Sequence, residues 1–212
     1  TAVWALAELA DPRCATLLGS LLTRGSASPL YAEARRGLQR LGEVGILECM
    51  RLARANGARA QREGALFLAE AGRAEAAPAL LSLLAEAPGD ARVLFELSVL
   101  AGQDFQNEEH PETAAFEWWD LVVHDDALAW FLAGVERAGL RTPPREAFAD
   151  GATLEGARLL VEAAALDQPE LVERALRELE RVLGRALVRA GAAERDEFLA
   201  GLRDEVERRF AR

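Results

Sequence analysis

The feature that most constrains this chain is a degenerate internal repeat. Ala5-Leu6-Ala7-Glu8-Leu9-Ala10 leads through Asp11-Pro12-Arg13 into Cys14-Ala15-Thr16-Leu17-Leu18-Gly19-Ser20-Leu21-Leu22. The same order returns in Ala65-Leu66-Phe67-Leu68-Ala69-Glu70-Ala71, a break at Gly72, and a second leucine-rich run ending Leu83-Leu84. A third copy lies between them, Ala34 to Leu41, a break at Gly42, then Val44 to Leu52. Leu6, Leu38 and Leu66 thus recur at about thirty residues, the length of one helix pair. Each break stops one helix or starts the next: Asp11 can accept from free N–H groups, Pro12 suits a first helical position, and glycine suits a helix end. Short connections force the paired helices antiparallel, and one pair cannot bury its apolar face alone, so pairs must stack.

Composition agrees. Half of the 212 residues are apolar, enough for a packed core. Alanine, leucine, glutamate and arginine predominate, all strong helix formers, and no stretch alternates in the strand manner. The expected fold class is therefore all-α: an α-solenoid of stacked antiparallel helix pairs forming one domain over residues 1–212. An irregular acidic loop is expected near 103–113. All 25 basic residues are arginine, which fits the coding bias of a GC-rich bacterial genome and supports ion pairs between helices.

The Asp11-Pro12-Arg13 turn between an Ala-Leu helix and a leucine-rich helix resembles the short bacterial HEAT repeat, the type also called PBS-lyase HEAT-like. The resemblance covers most of residues 1–102, and the later copies lack the Asp-Pro pair. Leu100-Ala101-Gly102-Gln103-Asp104-Phe105 followed by Trp118-Trp119 is similar to a segment often carried by bacterial HEAT-repeat proteins, here with a longer acidic loop from Gln106 to Thr113. The resemblance implies repeat turns, leucine core positions and a structural elaboration. Some HEAT-like solenoids are alkylpurine DNA glycosylases or phycobilin lyases, so a lyase-like or glycosylase-like enzyme is the alternative it implies. Such an enzyme would need a deep pocket at Trp118 and Trp119. HEAT-like hydroxylases carry His-Glu dipeptides, and this chain has none.

Further helices are expected at 90–101 with Val93, Leu94, Leu97 and Leu100 on one face, at 127–138, at 154–166, at 170–190 with a break near Gly184, and at 193–210. Arg141-Thr142-Pro143-Pro144 is a stop, with a short turn at 145–149. Consecutive tryptophans on a helix point about 100° apart, so one of Trp118 and Trp119 is expected in the core and the other half exposed. Trp4 and Trp130 are expected in the core, and Cys14 and Cys49 are read as small buried apolar residues with no disulfide.

Charge is uneven. The net charge is −10, and residues 85–130 hold eleven acids against the single Arg92. Such a block repels phosphates, which disfavours nucleic acid, and attracts basic partners. The expected function is a non-catalytic interaction or scaffolding module that binds a basic or amphipathic protein segment. Its expected contact residues are Asp104, Glu108, Glu109, Glu112, Glu117, Trp119, Asp120, Asp125 and Asp126. Glu108, Glu109 and His110 with His124, Asp125 and Asp126 form an oxygen-rich set of the kind hard cations take, but loop solvation and helix capping explain the same residues, so neither metal nor cofactor is expected. No apolar run is long enough to span a bilayer, and a cytoplasmic location is expected. The start at Thr1, inside an apparent helix, suits a segment of a longer chain or a removed leader.

Overall fold

The computed structural model describes Ala5, Glu8 and residues 11–210. Trp4, expected in the core, lies outside the described residues. Among the described residues the regular elements are helices and none is a strand. The chain divides into two compact units, Thr1–Leu97 with Phe105–Val123, and Ser98–Asp104 with His124–Arg212. The chain first passes from one to the other inside a helix, Ala91–Ala101, so no polar linker marks the boundary in the sequence.

The first unit begins with the predicted turn. Asp11 Oδ1 accepts from Arg13 N at 2.9 Å, a single 3₁₀ turn spans Pro12–Cys14, and α1 follows at Ala15–Leu22. Cys14, expected to be buried, is only half-buried because it closes that turn at the surface. Then come α2 (Tyr31–Arg40) and α3 (Glu43–Ala53), split at Gly42, which takes φ 56°. The next pair is α4 (Ala58–Glu70) and α5 (Ala77–Glu86). The α4 end closes around Gly72 at φ 71°, where Arg73 N reaches back to Leu68 O at 2.9 Å and satisfies a carbonyl the helix leaves open. α1 packs on α2 and α3, α3 on α4, and α4 on α5. Leu18, Leu22, Leu38, Leu66, Leu80 and Leu84 are fully buried, each such leucine contributing about 1.5–3 kcal/mol.

The first helices of successive pairs are laced by charge. Arg35 on α2 pairs with Glu70 on α4 and lies 5.6 Å from the Phe67 ring centre. Arg62 on α4 pairs with Asp90, whose carboxylate also accepts from Arg92 N and Val93 N and so caps α6 (Ala91–Ala101). Val93, Leu94, Leu97 and Leu100 are all buried, as the spacing requires.

The expected acidic loop is shorter than its composition suggests. Helix α7 starts at Pro111 and runs to Val122, because proline lacks only an N–H that the first turn leaves unbonded anyway. α7 packs on α5.

The second unit contains α8 (Ala127–Arg137), a 3₁₀ turn at Arg145–Gly151, α9 (Leu154–Ala163), α10 (Pro169–Leu183) and α11 (Arg195–Phe210). α10 ends at Gly184, in the left-handed conformation at φ 66°. Beyond it, residues 185–191 are not helical, so the break expected near Gly184 ends the helix. The core joins Phe131, Leu160, Leu171, Leu179, Leu202 and Val206. Arginines tie its surface: Arg158 to Glu207, Arg185 to Glu205, and Arg189 to both Glu173 and Glu180. No helix among the described residues is long and apolar enough to cross a membrane.

Candidate functional site

The expected contact residues fall in both units. Asp104, Asp125 and Asp126 belong to the second, and Glu108, Glu109, Glu112, Glu117, Trp119 and Asp120 to the first.

Those of the second unit are partly committed. Asp126 Oδ1 accepts from Ala129 N at 2.9 Å and caps α8, and its other oxygen pairs with Arg145. Asp104 is half-buried and adds negative charge near Glu170. The Glu170 carboxyl is pushed up first by burial and then by that neighbour. Asp125 is exposed.

Those of the first unit cluster on α7 and just before it. Trp118 is buried and its ring meets Phe105 at 5.6 Å and 60°, while Trp119 is half-buried with its ring 6.1 Å from Trp118. This is the division that a 100° step predicts. Phe116, Trp119 and Val123 follow at i, i+3 and i+7, on one side of the helix. Phe116 is 40% and Val123 41% exposed, so the stripe is apolar and open to water. Glu112 and Asp120 sit one turn to either side of Phe116 along that stripe. Glu117 is exposed beside it, and Glu108 and Glu109 precede the helix. None of these five carboxylates forms an ion pair among the described residues.

Helix electrostatics explain only some of these acids. Glu112 lies in the first turn of α7, where a negative charge is favourable. Asp120 lies in the last turn, where it costs about 0.3–1 kcal/mol, and that turn has no basic residue to offset it. The sequence reading set Trp118 and Trp119 on a helix but weighed only the tryptophan pair, so it missed the side that Phe116 and Val123 share with Trp119.

Two concavities stand out elsewhere. One, of about 390 Å³, lies among α3, α4 and α5, and the other, of about 220 Å³, lies between α9 and α11. Neither is lined by Trp118 or Trp119. Among the described residues no three His, Cys, Asp or Glu side chains converge as metal ligands. Compared with family models, curated proteins and solved structures, the chain matches none.

Proposed function

We infer that this chain is a HEAT-like α-solenoid acting as a non-catalytic scaffold, and that α7 captures a basic, amphipathic protein segment. The thirty-residue succession of capped helix pairs supports the solenoid. One observation carries the binding reading: a partly exposed apolar stripe, Phe116–Trp119–Val123, is bordered by carboxylates that form no ion pair among the described residues. Asp120 weakens its own helix, so its placement answers to something other than α7 stability. A partner helix would lay leucine-like side chains on the stripe and aim lysines or arginines at Glu112, Glu117 and Asp120. The buried apolar contact supplies the residence time, and the charges supply orientation and encounter rate.

The test is a fluorescence-anisotropy titration with a labelled amphipathic peptide of leucine and lysine. The E117Q/D120N double variant is expected to bind it about tenfold more weakly, the loss of roughly 1.4 kcal/mol of charge complementarity. Equal affinity for both proteins overturns the reading. The substitutions lie on the exposed side of α7, so the fold is expected to survive them, which circular dichroism checks.

A further inference from the structure

The groove among α3, α4 and α5 is independent of α7's acidic stripe and has the opposite chemistry. Its floor is apolar, made by the buried Ala53 and Leu68, and Met50 and Ala79 line its walls. Its volume of about 390 Å³ lies in the range of small-ligand sites, roughly 300–1,000 Å³. Leu47, one turn before Met50 on α3, is 61% exposed and continues the apolar surface.

The polar groups in the groove are mostly donors without a partner. Residues 51–62 hold four arginines and no acid. Arg51 is occupied by Glu48 and Arg62 by Asp90, but Arg54, which lines the groove, has no carboxylate among the described residues. Gln61, also lining it, is half-buried, and its side-chain amide has no hydrogen-bond partner among the described residues. Ser82 supplies a hydroxyl on the α5 side. Glu75, the one acid of the lining, already faces Arg73 at 3.6 Å.

We propose that this groove binds the carboxyl terminus of a peptide chain that ends in apolar residues. Arg54 holds the terminal carboxylate, with its planar guanidinium suited to two parallel bonds, and Gln61 donates a further one. The last side chain rests on Met50, Ala53 and Leu68. Arg54 is the one cation of the lining, which matches a monoanion, and Glu75 across the groove repels a dianion such as phosphate. Ser82 and Glu75 can bond the peptide's amide groups, contacts that a fatty acid would leave unmade, so a peptide is favoured over a lipid with the same carboxylate.

The chain contains a single methionine, Met50, so a protein labelled in the methionine methyl gives one resonance, placed at the groove wall. The probe is an N-acetylated pentapeptide ending in Ala-Leu-Leu with a free carboxylate. It is expected to shift that resonance in a saturable manner, whereas the same peptide as its C-terminal amide binds at least tenfold more weakly. R54Q, an exposed substitution, is expected to reduce affinity for the free acid about tenfold and to leave affinity for the amide unchanged. E117Q/D120N, which tests α7, is expected to leave both titrations unchanged, so the two sites fail or stand separately. An unmoved methyl resonance, equal affinity for acid and amide, or an R54Q protein that binds like the original overturns the proposal.

Discussion

At the scale of single residues, burial decides what the ionisable groups do. Burial pushes the Cys49 thiol up to about 12, with Glu48 adding to it, whereas Cys14 is half-buried at the end of a turn. A neutral, enclosed thiol is a poor nucleophile. Iodoacetamide at pH 8 is therefore expected to label the folded protein at Cys14 alone, and both cysteines in denaturant. Peptide mass spectrometry reads the sites, and rapid native labelling of Cys49 would show that its pocket opens. Glu170 shows the reverse cost. Its carboxyl is raised above the ordinary 4.5 by burial first and by Asp104 second, and Arg174, one turn on, is committed to Glu178 at 3.0 Å. Folding therefore takes up a proton in the window just above pH 4.5, and this group's contribution to stability falls as pH rises through it. Glu170→Gln keeps the shape and removes the charge. Its thermal midpoint at pH 7 is expected to exceed that of the original protein, and the difference to shrink as pH drops towards 4.5. A variant less stable at pH 7 would mean that the charged carboxylate is stabilised by bonds that outweigh its burial.

At the scale of helices, glycines separate close crossings from open turns of helix. A Cβ on Gly64 would stand 2.5 Å from Ala53 N and 2.6 Å from Cys49 O, both backbone atoms of α3 that cannot turn aside. A Cβ on Gly201, within α11, meets nothing within 4 Å. Gly64→Ala is expected to destabilise the fold by roughly 1–3 kcal/mol, since α3 and α4 must part, and Gly201→Ala to stabilise it by about 1 kcal/mol through helix propensity. Urea unfolding of the two variants reads the signs, and a neutral Gly64→Ala would contradict the close α3–α4 crossing. Local signals of this kind made much of the fold legible. Asp11-Pro12 marked α1, Gly42 and Gly72 marked the pair breaks, and the spacing of Val93, Leu94, Leu97 and Leu100 fixed the buried face of α6. Pro111 was the signal left unused: inside an acidic stretch it reads as a loop residue, although it is also a good first residue of a helix. The tryptophan pair alone reads as helical, and without the helix's start at Pro111 nothing joins Phe116 and Val123 to Trp119 on one side of it. The groove of Met50, Arg54, Gln61 and Leu68 was not legible either. Each residue is ordinary on its own helix, and only the tertiary arrangement brings uncommitted donors to one apolar floor. Likewise the 19-residue separation of Asp126 and Arg145 hides the pair that occupies that aspartate.

At the scale of the whole molecule, the distribution of charge matters more than its total. The net charge is −10, and arginines across the chain are largely spent on carboxylates of neighbouring helices, as in the pairs Arg35–Glu70, Arg62–Asp90 and Arg158–Glu207. Glu108, Glu109, Glu112, Glu117 and Asp120, which form no ion pair among the described residues, therefore stand against a nearly neutralised background and dominate the field met by a cation approaching α7. Such a field acts over the Debye length, which shrinks from about 30 Å at 0.01 M salt to about 8 Å at 0.15 M. For the leucine–lysine peptide, the association rate is expected to fall about tenfold over that range while dissociation changes little, because charge steers encounter and apolar contact holds the complex. Phe116→Ala should act on the other rate: dissociation quickens, roughly tenfold for the loss of a well-packed aromatic contact, and the salt dependence of association persists. Stopped-flow anisotropy at two salt concentrations separates the two effects. Association that ignores salt would remove the acidic residues from the encounter, and a Phe116→Ala variant with unaltered dissociation would remove the stripe from the contact.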